Sequence, residues 1–320
     1  MRVHITFDVE IWCPGWTELD ASFPATFDRY VWGRSAYGEF ALPKNLEILR
    51  AHGLTAVFFV EPLFSLRFGF EHLCTITTLI QNAGQDVQLH LHPEWVDEIQ
   101  PPLLIGISCK RQHLTDFSVL EQTTLLTRGK ALVEAATGRP VTAFRSGGYS
   151  VNRDSYRALA ASQLWVDSSL NVTFDRTGGS LGDAWSLRRP QVIEGVQSHP
   201  VTVFRDGTGR DRHCQIGACS FQELRDVLES AFEQGHEEVV LVSHNFELLK
   251  QKSHLPDRVV PGRFEALCAY LAAHPSQYQV VPFAQNSLAG APVNVATQPP
   301  RSRLWSTGLR YAEQAFRRVG

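Results

Sequence analysis

The chain has 320 residues, of which 43% are hydrophobic and 20% charged, with a formal net charge of −3. That balance describes a folded domain with a real core, and it excludes a disordered polyelectrolyte and a strongly basic nucleic-acid binder. No apolar run approaches the ~20 residues of a spanning helix.

From the N-terminus, Val3 to Phe7 is a short run rich in β-branched residues and reads as a strand, with Asp8 and Glu10 at its exit. No basic start, apolar segment and small-residue cleavage site precede it, so a cytoplasmic location is expected. Ile11 to Pro43 breaks the rhythm with Trp12, Trp16, Phe23, Phe27, Tyr30, Trp32 and Tyr37. Following the first strand, it is placed over the site as a lid or substrate wall. Lys44 to Ala51 reads as a helix, Thr55 to Val60 as a buried strand, and Glu71 to Ala83 as a helix closed by Gly84. Asp86 to Leu89 is the next strand, running into His90-Leu91-His92-Pro93-Glu94. A loop through Pro101-Pro102 leads to a helix over Glu121 to Thr137, ended by Gly138. Val141 to Phe144 then forms a strand entering Arg145-Ser146-Gly147-Gly148-Tyr149. Arg153 to Ala161 reads as a helix, and Leu164 to Val166 as a short strand reaching Asp167.

Ser220 caps a helix to about Gln234, Val239 to Val242 is a strand ending at Ser243-His244, Gly262 to Ala273 is a helix, and Tyr278 to Val281 is the last strand. From Ala289 the sequence turns Pro-rich and then basic, with five arginines and one acid over 301–320. That tail is expected to be separate from a domain spanning 1–288, and to make weak membrane-surface contact if it forms an amphipathic helix. The six cysteines are scattered without finger spacing, which fits a reducing compartment.

Alternating strands and helices predict a distorted (β/α) barrel of about seven parallel strands with the helices outside. Asp8, His90, His92, Arg145, Asp167 and His244 all fall at C-terminal strand ends, the catalytic face of such a barrel. Residues two apart on a strand share a face. Asp8 with Glu10, and His90 with His92, therefore offer a mixed carboxylate and imidazole site suited to zinc or a similar divalent ion.

These blocks resemble the polysaccharide deacetylase family, the chitin-deacetylase-like carbohydrate esterases, from about Met1 to Pro282. Thr6-Phe7-Asp8 is similar to the family's opening block, with the second acid displaced by one to Glu10. His90-Leu91-His92 is similar to the second block, whose usual spacing would land on Glu94. Phe144-Arg145-Ser146-Gly147-Gly148-Tyr149 resembles the third, Asp167 or less well Asp183 the fourth, and Val242-Ser243-His244 the last. The resemblance implies removal of an N-acetyl or similar N-acyl group from a sugar. It implies Asp8 as base, Glu10, His90 and His92 as metal ligands with Glu94 in reserve, and Arg145 pairing with Asp8. His244 is then the general acid, its protonated form held by Asp167. Trp12 and Trp32 of the insertion, with Glu94, Gly147, Gly148 and Tyr149, are the expected substrate contacts. A carbohydrate is the expected partner, and nucleic acid is not. A deformylase of lipid-linked sugars and an inactive carbohydrate-binding relative are the competing readings.

Overall fold

A computed structural model describes residues 1–174, 181–183, 186–250, 255–284 and 298–319. Its main sheet runs, in spatial order, Glu238–His244, Arg2–Val9, Val57–Val60, Asp86–Leu91, Ala143–Ser146, Val166–Asp167, Val196–Ser198 and Gln191–Ile193. The first seven of these are parallel, and Gln191–Ile193 joins the edge antiparallel. Gln279–Val280 adds a second parallel partner at the start of the first strand. The sheet curls until its ends approach: the Thr202 amide donates to Val240 at 3.1 Å, and the Ile216 amide donates to Val242 at 2.9 Å.

Parallel strands need long crossovers, and most of those here carry a helix whose ends follow from local chemistry. Ser118 and Glu121 satisfy each other's backbone amides at the start of Val119–Thr137, and Ser220 and Glu223 do the same for Phe221–Glu233. Gly138 ends the first of these in the left-handed region at φ 66°. Inside the curl, Val57, Phe59, Ala143 and Val166 form a dry plug against Phe283. Outside it, Ile5, Phe7, Phe58 and Leu89 meet the helices.

Two expectations about element placement are corrected. The strands Gln191–Ile193 and Val196–Ser198 and the hairpin Val203–Arg205 with Asp211–His213 fall between Asp167 and Ser220, where the sequence pattern predicts no element. The basic tail is no free tail: Leu304–Val319 is a helix docked on Phe221–Glu233. Arg310 lies between Asp206 at 2.9 Å and Glu223 at 3.0 Å, and Arg317 reaches Asp257 at 2.8 Å. Arg310 and Arg317 are thus taken up by the barrel's own buried acids.

Candidate active site

Neighbouring strand ends bring the expected residues together. Register sets Asp8 opposite His244 and His90 opposite Arg145. A cavity of about 310 Å³ opens over them, lined by Asp8, Glu10, Trp12, His90, His92, Glu94, Gly148, Tyr149 and His244 among others.

Glu10 stands at its centre, 6% exposed. Its Oε1 lies 3.4 Å from His90 Nε2, 3.4 Å from His92 Nε2 and 3.6 Å from His244 Nε2. Asn245 fixes the backbone there, accepting the Glu10 amide at 3.1 Å, and Trp12 Nε1 donates to the other carboxylate oxygen. Burial alone would raise the Glu10 pKa, but the imidazoles of His92 and His90 outweigh it and hold the carboxyl well below its ordinary range. Burial likewise opposes charge on His92, yet Glu10 and Glu94 lift its pKa well above that of a free imidazole.

The outer nitrogens decide what these imidazoles can do. His90 Nδ1 donates to the Arg145 carbonyl at 2.8 Å, and His92 Nδ1 donates to Glu94 at 3.2 Å. Those bonds direct both Nε2 atoms inward, and both are buried without a hydrogen-bond partner. A buried polar atom without a partner is costly. Metal-bound histidines use this arrangement, with the far N–H tied to a carbonyl or carboxylate. Tetrahedral donors about 2.0–2.2 Å from an ion stand roughly 3.3–3.6 Å apart, and the separations from Glu10 fall in that range. The residues present therefore fit a divalent cation held by Glu10, His90 and His92. Asp8, Glu10 and His244 also converge closely enough to hold one, but Asp8 is engaged by Arg145, and only the Nε2 atoms of His90 and His92, among these side chains, are buried without a hydrogen-bond partner.

Arg145 is wholly buried. It donates to Asp8 Oδ1 and Thr6 Oγ1, each at 2.8 Å, and to the Ser168 carbonyl and hydroxyl, each at 2.9 Å. Asp8 is thus held in place with one oxygen engaged. His244 Nδ1 donates to Glu247 at 2.7 Å. Glu247 in turn accepts from Ser243 at 3.0 Å and from the Gly217 amide at 2.8 Å. Burial pushes the His244 pKa down, but the Glu247 bond and the Glu10 charge carry it up to about 9.

Several expected roles change. Asp167 is not the partner of His244: it accepts from the Tyr156 hydroxyl at 2.7 Å and the Ser169 amide at 3.1 Å, behind Arg145 and outside the cavity. Glu247, three residues beyond His244, takes that role and was missed. Asp183 is exposed and caps the turn Ser186–Arg188 through the Ser186 amide at 3.0 Å; Ala184 and Trp185 lie outside the described residues. Glu94 orients His92. Trp32 lies away from the cavity and carries the Arg34 guanidinium 4.7 Å above its ring. The insertion is no loose lid, since Phe23 stacks on Phe68 at 3.8 Å within the core. Gly147 supports His92 from below, where a Cβ would meet the ring at 2.5 Å. Gly148 and Tyr149 turn the chain at φ 61° and 57°, and Tyr149 borders the cavity. A second cavity of about 610 Å³ adjoins the first through Gln215 and His244, and is lined by Arg29, Tyr30, Lys250 and Arg317 among others.

No known family's sequence profile matches the chain, and no curated protein sequence matches it. Solved structures do. A "putative polysaccharide deacetylase" from Mycobacterium smegmatis shares 18% identity over 88% of this chain and 86% of its own, with a TM-score of 0.52. A family 4 carbohydrate esterase from Streptomyces lividans, solved with acetate, shares 12% identity over 89% and 94% at a TM-score of 0.41. A family 4 pseudoenzyme from Bacillus anthracis shares 14% over 87% and 62% at 0.42. At these identities the likeness is one of fold, and the fold of this chain is that of the polysaccharide deacetylases.

Proposed function

We propose that the protein is a metal-dependent hydrolase that removes an N-acetyl or similar N-acyl group from a sugar. The observation that carries this is the pair of buried imidazole nitrogens, His90 Nε2 and His92 Nε2, turned without partners toward Glu10. Glu10, His90 and His92 would hold the ion, most suitably zinc. When bound, it supplies Lewis-acid polarisation of a carbonyl and a lowered pKa for a coordinated water.

The remaining chemistry belongs to the chain. Arg145 engages Asp8 Oδ1 and leaves Oδ2 to take a proton from the attacking water. His244, with Nδ1 committed to Glu247, offers Nε2 to the leaving nitrogen. An amine is a poor leaving group until protonated, and its pairing with Glu247 keeps His244 charged near neutral pH. Positioned proton transfers of this kind typically contribute about 100- to 10,000-fold. Tyr149 stays neutral, since burial and the Asp8 charge raise its phenol, and it is available as a hydrogen-bond donor at the cavity edge.

A panel of N-acetyl and N-formyl sugars, with and without added zinc, tests the reading. Metal-dependent release of acetate or formate supports it. A protein that binds sugars and releases neither acid would be a carbohydrate-binding relative.

A further inference from the structure

Half-buried Trp12 borders the cavity, but its polar edge is turned onto a side chain of the site. An indole N–H is a donor only, and away from water it needs an acceptor. Trp12 Nε1 finds one in Glu10 Oε2. The closest approaches of His90, His92 and His244 all fall on the other oxygen, Oε1, at 3.4, 3.4 and 3.6 Å. The two oxygens of this carboxylate therefore have separate partners.

Packing fixes the direction of that N–H. The Trp12 ring meets His92 edge to face at 4.6 Å, and Trp16 in the same way at 6.1 Å. Trp16 packs on buried Trp95 at 4.7 Å and carries the Lys110 ammonium 4.0 Å above its ring. Trp95 lies three residues beyond His92, so this row of indoles ties the chain after Glu10 to the chain after His92. The Glu10 backbone is pinned separately. Asn245 accepts its amide at 3.1 Å and donates to its carbonyl at 3.3 Å. What is left to settle is the rotation of the carboxylate, and Trp12 settles it.

We infer that Trp12 is a positioning residue for the metal, holding Glu10 to coordination through Oε1 alone. The inference rests on the metal site proposed above. A catalytic zinc takes three protein donors and keeps a further position for water or substrate. A carboxylate with both oxygens available can take two positions by itself, which crowds the open one. With Oε2 occupied by the indole N–H, the donors are Glu10 Oε1, His90 Nε2 and His92 Nε2. A sugar contact would act through the Trp12 ring and not through its N–H, so the two roles separate when the ring is kept and the donor removed.

Trp12→Phe makes that change. Zinc affinity in a chelator competition should fall by about 10- to 100-fold, as when the hydrogen-bond partner of a ligand is lost. Cobalt(II) bound in place of zinc reads the geometry without turnover. Four-coordinate cobalt absorbs strongly in the visible and higher-coordinate cobalt weakly, so the parent's band should weaken in the variant as Oε2 joins the ion. Trp16→Phe alters the same row of rings without touching Glu10, and should match the parent in both measurements. Unchanged zinc affinity in Trp12→Phe overturns the inference, and so does an unchanged cobalt band. An equal loss in Trp16→Phe also overturns it, because ring packing and not the N–H would then be responsible. Parental affinity with a raised KM for an N-acyl sugar would make Trp12 a substrate contact instead. A parent that binds no zinc would remove the proposed metal site itself, and this inference with it.

Discussion

Glu247→Gln isolates the proton-donating half of the site. Glu247 accepts the His244 Nδ1 proton at 2.7 Å and contributes most to lifting the imidazole to about 9 against its burial. Gln keeps the shape and one of the two acceptor oxygens but removes the negative charge. The sign follows directly. His244 acts as its protonated form, so activity present below its folded pKa is lost as pH rises through that value. Removing the charge moves the loss downward, toward the ordinary imidazole value of about 6.5. At pH 8 an acid of pKa 9 is about 90% protonated and one of 6.5 about 3%, so protonation alone lowers the rate by up to roughly thirtyfold. A cation on Glu10 cancels part of that residue's share, so the parent limb falls below 9 while staying above 6.5. The assay is the pH–rate profile of parent and variant at saturating zinc, with rates compared at pH 6 and pH 8. The variant should approach the parent at pH 6 and fall away by pH 8. An alkaline limb that stays in place would remove His244 or its pairing with Glu247 from the mechanism.

Asp8→Asn should retain the metal and lose about 100- to 10,000-fold in turnover, since it removes a base and no ligand; metal analysis beside steady-state rates checks both halves. Gly147→Ala puts a Cβ 2.5 Å from the His92 ring. The ring must shift, and zinc affinity should fall by about 10- to 100-fold in a chelator competition, as when the surroundings of a ligand are disturbed. Arg310→Met removes one partner from a buried cluster with Asp206 and Glu223. Urea denaturation should show a loss of about 3–5 kcal/mol, and an unchanged midpoint would mean that the helix docks without contributing to stability.

Periodicity and strand-end chemistry made much of the barrel legible. The pairing of Asp8 with Glu10, and of His90 with His92, follows from the two-residue repeat of a strand. Their convergence required only that the two strands lie near each other in the sheet, with Val57–Val60 between them. The partner of His244 was not legible from strand ends. Asp167 looked suitable as a strand-end acid, but the strand Val196–Ser198 covers its far edge and Tyr156 claims it. Glu247 sat three residues from His244 in plain view, in a turn that no periodic pattern marks. Trp32 illustrates a further limit, because composition shows that an insertion is aromatic without showing which rings face the cavity. The C-terminal helix misled for a related reason. Its arginines suggest an exposed basic face until the acids at 206, 223 and 257 are brought beneath it from distant parts of the chain.

The central claim is that Glu10, His90 and His92 hold one divalent ion, and elemental analysis of protein equilibrated with zinc and then desalted tests it most directly. The account predicts close to one zinc per chain in the parent and in His244→Gln, and close to none in the double variant His90→Ala with His92→Ala. Full zinc occupancy in that double variant would contradict it.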